Sequence, residues 1–187
     1  MEDPRADART HYYGLVYDGG TPEYFMRGCA AGIPSNPDAS TVASGPTGKP
    51  TGAWANWDLD GSYGDWYAGH ELGHTFGRYH VGGCSGLPDD ISSAPYPLGY
   101  PRPEGRVGAG EEGFVGLDVG DSSPRVLPGD LWRDLMTYCD MQWISPYTYM
   151  AVLQRLNEEN HTSAGNNATY AGSAPDLPDD VLAGPTL

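Results

Sequence analysis

The chain has 187 residues, 39% of them hydrophobic, and a formal net charge of −15. That length suits one domain with a tail, and that apolar fraction can build a core. The charge excludes nucleic acid and anionic membrane surfaces as partners, since both need Lys and Arg.

The start, MEDPRADART, is acidic and lacks the basic and apolar regions of a signal peptide. Residues 1–10 read as a flexible N-terminus ahead of a domain over 11–161. The chain is then either cytosolic or a mature domain cut from a longer precursor. HYYGLVY (11–17) is rich in aromatic and branched residues and ends at DGG, so it reads as a strand and a turn. STVASG (40–45) is a short strand between two loop-like stretches.

NWDLDGSYGD (56–65) puts Asn56, Asp58, Asp60 and Gly61 at calcium-loop offsets. Tyr67 stands where the twelfth-position carboxylate belongs, so an EF-hand fails. An irregular Ca2+ site stays open beside the plainer reading of an acidic turn.

GDWYAGHELGHTFG (64–77) reads as a helix, with Asp65 as N-cap and Trp66, Leu72 and Phe76 on its apolar face. Gly69 and Gly73 would each cost about 1 kcal/mol there, so something other than propensity must hold it. Residues 82–130 are dense in Gly, Pro and Asp and lack periodicity, a pattern uncommon in a compact domain unless it is functional or tied down. SPYTYMAVLQRLNEEN (145–160) is the clearest helix. Ser145 caps it, Pro146 fits its first turn, and Tyr149, Met150, Leu153 and Leu156 form an apolar stripe. Residues 162–187 have the composition of a linker or tail. Sequons stand at Asn160 and Asn167.

Three of the five histidines fall in HELGHTFGRYH (70–80). On a helix His70 and His74 stack on one face and can reach a single metal ion. Glu71 lies beside the first ligand, where it can meet water rather than metal. Gly77 can end the helix and turn the chain, which brings His80 back to the same ion. Three histidines with one remaining position make the catalytic arrangement of zinc. Histidines four apart are commonly just surface or core residues, and a bare H-E-x-x-H arises by chance. The longer pattern H-E-x-x-H-x-x-G-x-x-H fixes five positions.

With HELGHTFGRYH on the page, the chain resembles the metzincin zinc metallopeptidases. DLMTYC (134–139) is similar to that family's methionine turn, with Met136 as a hydrophobic floor under the imidazoles. Val81 follows His80 where adamalysins, astacins, matrixins and serralysins carry other residues, so none of those branches is supported. The resemblance is closer to an uncharacterised secreted or surface type of bacterial or archaeal metzincin. It covers roughly residues 11–156 and is sharp at 70–80 and 134–149.

The resemblance implies an α+β catalytic domain. A twisted mixed sheet with helices forms an upper lobe, the lower lobe is irregular, and one Zn2+ lies in the cleft between. STVAS is expected at the cleft's edge, where an extended substrate would pair with it. Glu71 is expected as general base and Tyr138, two residues after Met136, as a stabiliser of the oxyanion. Cys84 and Cys139 both fall near the zinc floor, which implies a disulfide between them and an oxidising, extracellular or cell-surface location. Cys29 is left over.

The expected function is a zinc endopeptidase acting on peptides or proteins, without nucleic acid or membrane insertion. It would be a monomer or a domain of a larger surface protein. The alternative is a zinc-containing binding or adhesion domain with weak or no turnover.

Overall fold

The computed structural model of the chain describes residues 10–17, 28–38, 41–48, 63–81, 105–108, 113–120 and 123–162. Outside them lie most of the expected N-terminal segment, the calcium-loop positions Asn56, Asp58, Asp60 and Gly61, the sequon at Asn167, Cys84 and the tail beyond residue 162. In chain order the elements are β1 (Tyr12–Val16), β2 (Cys29–Ala30), β3 (Val42–Pro46), α1 (Tyr63–Thr75), β4 (Val115–Asp118), β5 (Arg125–Pro128), β6 (Arg133–Asp134), β7 (Gln142–Trp143) and α2 (Pro146–Thr162). The described residues are α+β, with two helices and small sheets of mixed pairing.

The first sheet runs β1-β3-β2. β1 is parallel to β3, from Tyr12 beside Val42 to Val16 beside Pro46. β2 is antiparallel to it, Cys29 beside Ser44 and Ala30 beside Ala43. This corrects the expectation for STVAS: β3 is the central strand and has no free edge. The reason is its small side chains. Ala43 and Gly45 are buried and let α1 lie close over the strand. A Cβ on Gly64 in the first turn of α1 would sit 2.6 Å from the Thr47 carbonyl oxygen. Among the described residues the edges belong to β1 and β2.

α1 begins two residues before Asp65, so Asp65 lies inside the first turn and is not the N-cap. Its carboxylate accepts from the Trp66 N–H at 2.7 Å, at the helix end where negative charge is favoured. Tyr63, Tyr67, His70 and His74 are buried, at spacings of four, three and four. The helix therefore has an inward stripe, written in Tyr and His rather than in Trp66, Leu72 and Phe76.

Below α1, β4 and β5 pair as an antiparallel hairpin, Val115 beside Pro128 and Asp118 beside Arg125. Arg125 bonds the Asp118 carboxylate at 2.5 Å. Part of the segment expected to be irregular is thus a sheet. Its inner side joins a core of Val107, Leu127 and Trp132, with Met141 and Trp143 packed against it. β6 and β7 form a short parallel pair beneath.

α2 starts as its sequence indicates. The Ser145 hydroxyl accepts from the Thr148 N–H at 3.2 Å, its carbonyl accepts from Tyr149, and Pro146 opens the first turn. The stripe of Tyr149, Met150, Leu153 and Leu156 does not face the core; all four are exposed, Tyr149 by 54%. The buried side chains of α2 include Thr148, Arg155 and Glu159. Arg155 donates to the Pro34 carbonyl at 2.9 Å and Glu159 meets His11 at 2.9 Å, so specific polar partners set the rotation of the helix. No helix among the described residues is long and apolar enough to cross a membrane.

Candidate metal centre

The end of α1 is a capping turn closed by two backbone bonds. The Gly77 N–H donates to the His74 carbonyl at 2.8 Å and the Arg78 N–H to the Gly73 carbonyl at 3.0 Å. Gly77 has φ +80°, a conformation that disfavours any side chain, and a Cβ there would also lie 2.7 Å from the Pro34 carbonyl oxygen. The turn redirects the chain so that His80 meets the two helical histidines. Their ligand atoms all lie within 4.8 Å of one another.

Each helical imidazole is oriented from behind. His70 Nδ1 donates to the Leu135 carbonyl at 2.8 Å and His74 Nδ1 to the Arg78 carbonyl at 2.7 Å. Both tautomers are thereby fixed with the proton on Nδ1 and the lone pair on Nε2. His74 Nε2 and His80 Nε2 are 2.9 Å apart. Burial, reinforced by the neighbouring His74 and His80, lowers the His70 pKa to about 3, against the Leu135 carbonyl, which raises it. His70 is therefore neutral with its lone pair available. Three converging imidazole nitrogens, two of the rings held by backbone carbonyls, can bind a metal ion.

Met136 is fully buried and packs against α1. A Cβ on Gly73 would lie 2.5 Å from its Sδ, and one on Gly69 would lie 3.3 Å from Leu135 Cδ2. The two mid-helix glycines are thus the places where the methionine turn presses against α1. The Val81 N–H donates to the Met136 carbonyl at 2.9 Å and ties the segment after His80 to the same turn.

Two buried polar residues missed in the sequence hold this turn. Asp134 accepts from the Met136 N–H at 2.8 Å and from the Ser145 N–H at 3.1 Å, joining the floor to the start of α2. Gln142 donates to the Thr137 and Cys139 carbonyls and accepts from the Trp66 indole of α1. A third group fastens the exit of α1. His11 Nδ1 is 2.9 Å from the Thr75 hydroxyl and its Nε2 is 2.9 Å from Glu159 Oε2, both largely buried. The only local hint of these contacts was polar residues at positions that turned out to be buried.

The Glu71 side chain is buried against β2, where a Cβ on Gly28 would overlap it. Burial raises its pKa to about 7, while the Ala30 backbone N–H bonds the carboxylate and works in the other direction. The Tyr138 hydroxyl lies 2.7 Å from His80 Nε2, and its ring is 48% exposed. The structure thus brings Tyr138 to the three histidines, while the Glu71 carboxyl lies against Gly28 and Ala30. Cys139 is disulfide-bonded and Cys29 is a free, exposed thiol on β2. Cys84, the expected partner of Cys139, lies outside the described residues.

No protein-family model, no curated protein and no solved structure matches the chain.

Proposed function

We propose that the chain is a zinc-dependent endopeptidase of the metzincin kind. One observation supports this: three imidazoles converge, with the buried Glu71 next to His70 on α1 and the buried Met136 packed against the same helix at Gly73. His70, His74 and His80 would hold the ion. Zinc supplies Lewis acidity that polarises a peptide carbonyl and makes water acidic near neutral pH. Glu71 takes a proton from the attacking water and returns it to the leaving amine nitrogen. A carboxylate whose pKa burial has raised to about 7 is suited to both steps. The Tyr138 hydroxyl, beside His80, donates to the oxygen on which charge develops.

β2 replaces β3 as the strand against which an extended substrate aligns. It is an edge of the sheet, and the Ala30 N–H reaches Glu71 from it. The disulfide at Cys139, with Cys84 as its proposed partner, supports a secreted or surface location. The test is digestion of an unstructured peptide pool by the zinc-loaded wild type and by Glu71→Gln, read by mass spectrometry. Internal cuts from the wild type alone are expected. Equal cutting by both variants, or none by either with zinc bound, overturns the proposal.

A further inference from the structure

Gly28 and Gly45 face each other across the β2–β3 pair. The register that sets Cys29 beside Ser44 and Ala30 beside Ala43 brings them opposite in the next step. Their missing side chains leave two neighbouring notches, because opposed Cβ positions in such a pair sit about 4.5–5.5 Å apart. The Glu71 carboxyl occupies the notch at Gly28, where a Cβ would overlap it. The tip of the Tyr13 ring occupies the notch at Gly45, where a Cβ would overlap the hydroxyl and lie 3.5 Å from the Gly28 Cα. Tyr13 thus reaches from β1 across β3 toward the buried carboxyl of α1.

That hydroxyl is shielded from solvent and makes no hydrogen bond. A buried hydroxyl without a partner destabilises the fold that contains it, and phenylalanine would fill the same space without that penalty. The acceptor in the adjoining notch is Glu71. Ala30 already bonds the carboxylate from β2, and a carboxylate accepts several donors.

We infer that Tyr13 is a positioning residue of the hydrolytic site: its hydroxyl, unpaired in the resting chain, is the donor that meets the Glu71 carboxylate during turnover and holds it in the orientation that receives a proton from water. This rests on the reading of Glu71 as general base. Burial and the negative charge of Glu71 push the phenol pKa up to about 12, so Tyr13 remains a donor over any working pH. The two glycines acquire a joint purpose, since together they give the phenol and the carboxyl adjacent room.

The test is Tyr13→Phe in the zinc-loaded full chain, on peptides that the wild type cuts. Expected are unchanged zinc content, KM within about twofold and kcat lower by roughly 10–100-fold, the size of a lost hydrogen bond to a charged group. The metal-free variant should melt at or above the wild-type temperature, because an unpaired hydroxyl has gone. The infrared difference between wild type and Tyr13→Phe should contain a carboxylate band that vanishes in a Glu71→Gln background. Unchanged kcat, no such band, or a kcat loss that merely tracks lower stability or lost zinc overturns the inference alone. A zinc-loaded wild type that cuts no peptide overturns the reading of Glu71 and the inference with it.

Discussion

Gly73 and Met136 share one space: a Cβ on the glycine would lie 2.5 Å from the methionine Sδ. The relationship explains why a helix that carries two ligands contains a residue that weakens helices. Gly73→Ala should gain about 1 kcal/mol of helix propensity and lose about 1–3 kcal/mol to overpacking of a fully buried side chain. The expected net result is a small loss of stability with weaker zinc binding. Urea denaturation and a competitive zinc titration read the two effects separately. A variant that is more stable and binds zinc normally would contradict the contact.

The three imidazoles act as a set. His80→Ala should leave α1 intact, because Gly77 still ends the helix, yet weaken zinc binding by more than the roughly 10–100-fold lost on removing an outer partner of a ligand. Metal analysis after gel filtration checks this. One full equivalent of zinc retained by His80→Ala would remove it from the ligand set.

Glu71→Gln should keep zinc and lose turnover by about 100- to 10,000-fold. It also carries a pH signature in chelator-stripped protein. The folded pKa of Glu71, about 7, lies above the ordinary 4.5. Its stabilising contribution is therefore complete below 4.5 and is lost as pH rises through 7. The melting temperature of Glu71→Gln should gain on that of the wild type across this interval. His70 has the opposite sign, with a folded pKa of about 3 below the ordinary 6.5. Its contribution is complete above 6.5 and fades as pH falls toward 3. A Glu71→Gln difference that does not change with pH would mean the carboxyl is not buried as described.

Asp134→Ala should be among the most destabilising substitutions in the chain. Asp134 is fully buried and accepts from two backbone N–H groups, those of Met136 and Ser145. Each left unpaired costs about 1–3 kcal/mol. Asp134→Asn, which keeps an acceptor oxygen, should recover part of the loss in equilibrium denaturation.

The histidines, the helix they stand on, the turn at Gly77 and the cap at Ser145 were legible because each depends on neighbours within a few residues. What escaped depends on distant partners. The apolar stripe of α2 indicated the wrong face because Arg155 and Glu159 find buried partners at Pro34 and His11, more than a hundred positions away. The central place of β3 is hidden because nothing local says which strands flank it. Val115–Asp118 has no alternating pattern to mark it as a strand, since Gly116 is there to admit the Trp143 ring. Asp134 and Gln142 look like ordinary loop residues until their backbone donors and acceptors are brought to them by the fold.

The bond between His11 and Glu159 spans 148 positions and bears, through Thr75, on the residue next to His74. The ordering of the site in time follows from it. During synthesis the three-histidine motif leaves the ribosome well before Glu159 does, so α1 cannot gain this fastening until α2 has emerged. A nascent chain therefore carries the three histidines before it carries the frame that aligns them, and their alignment is completed late, with the end of α2.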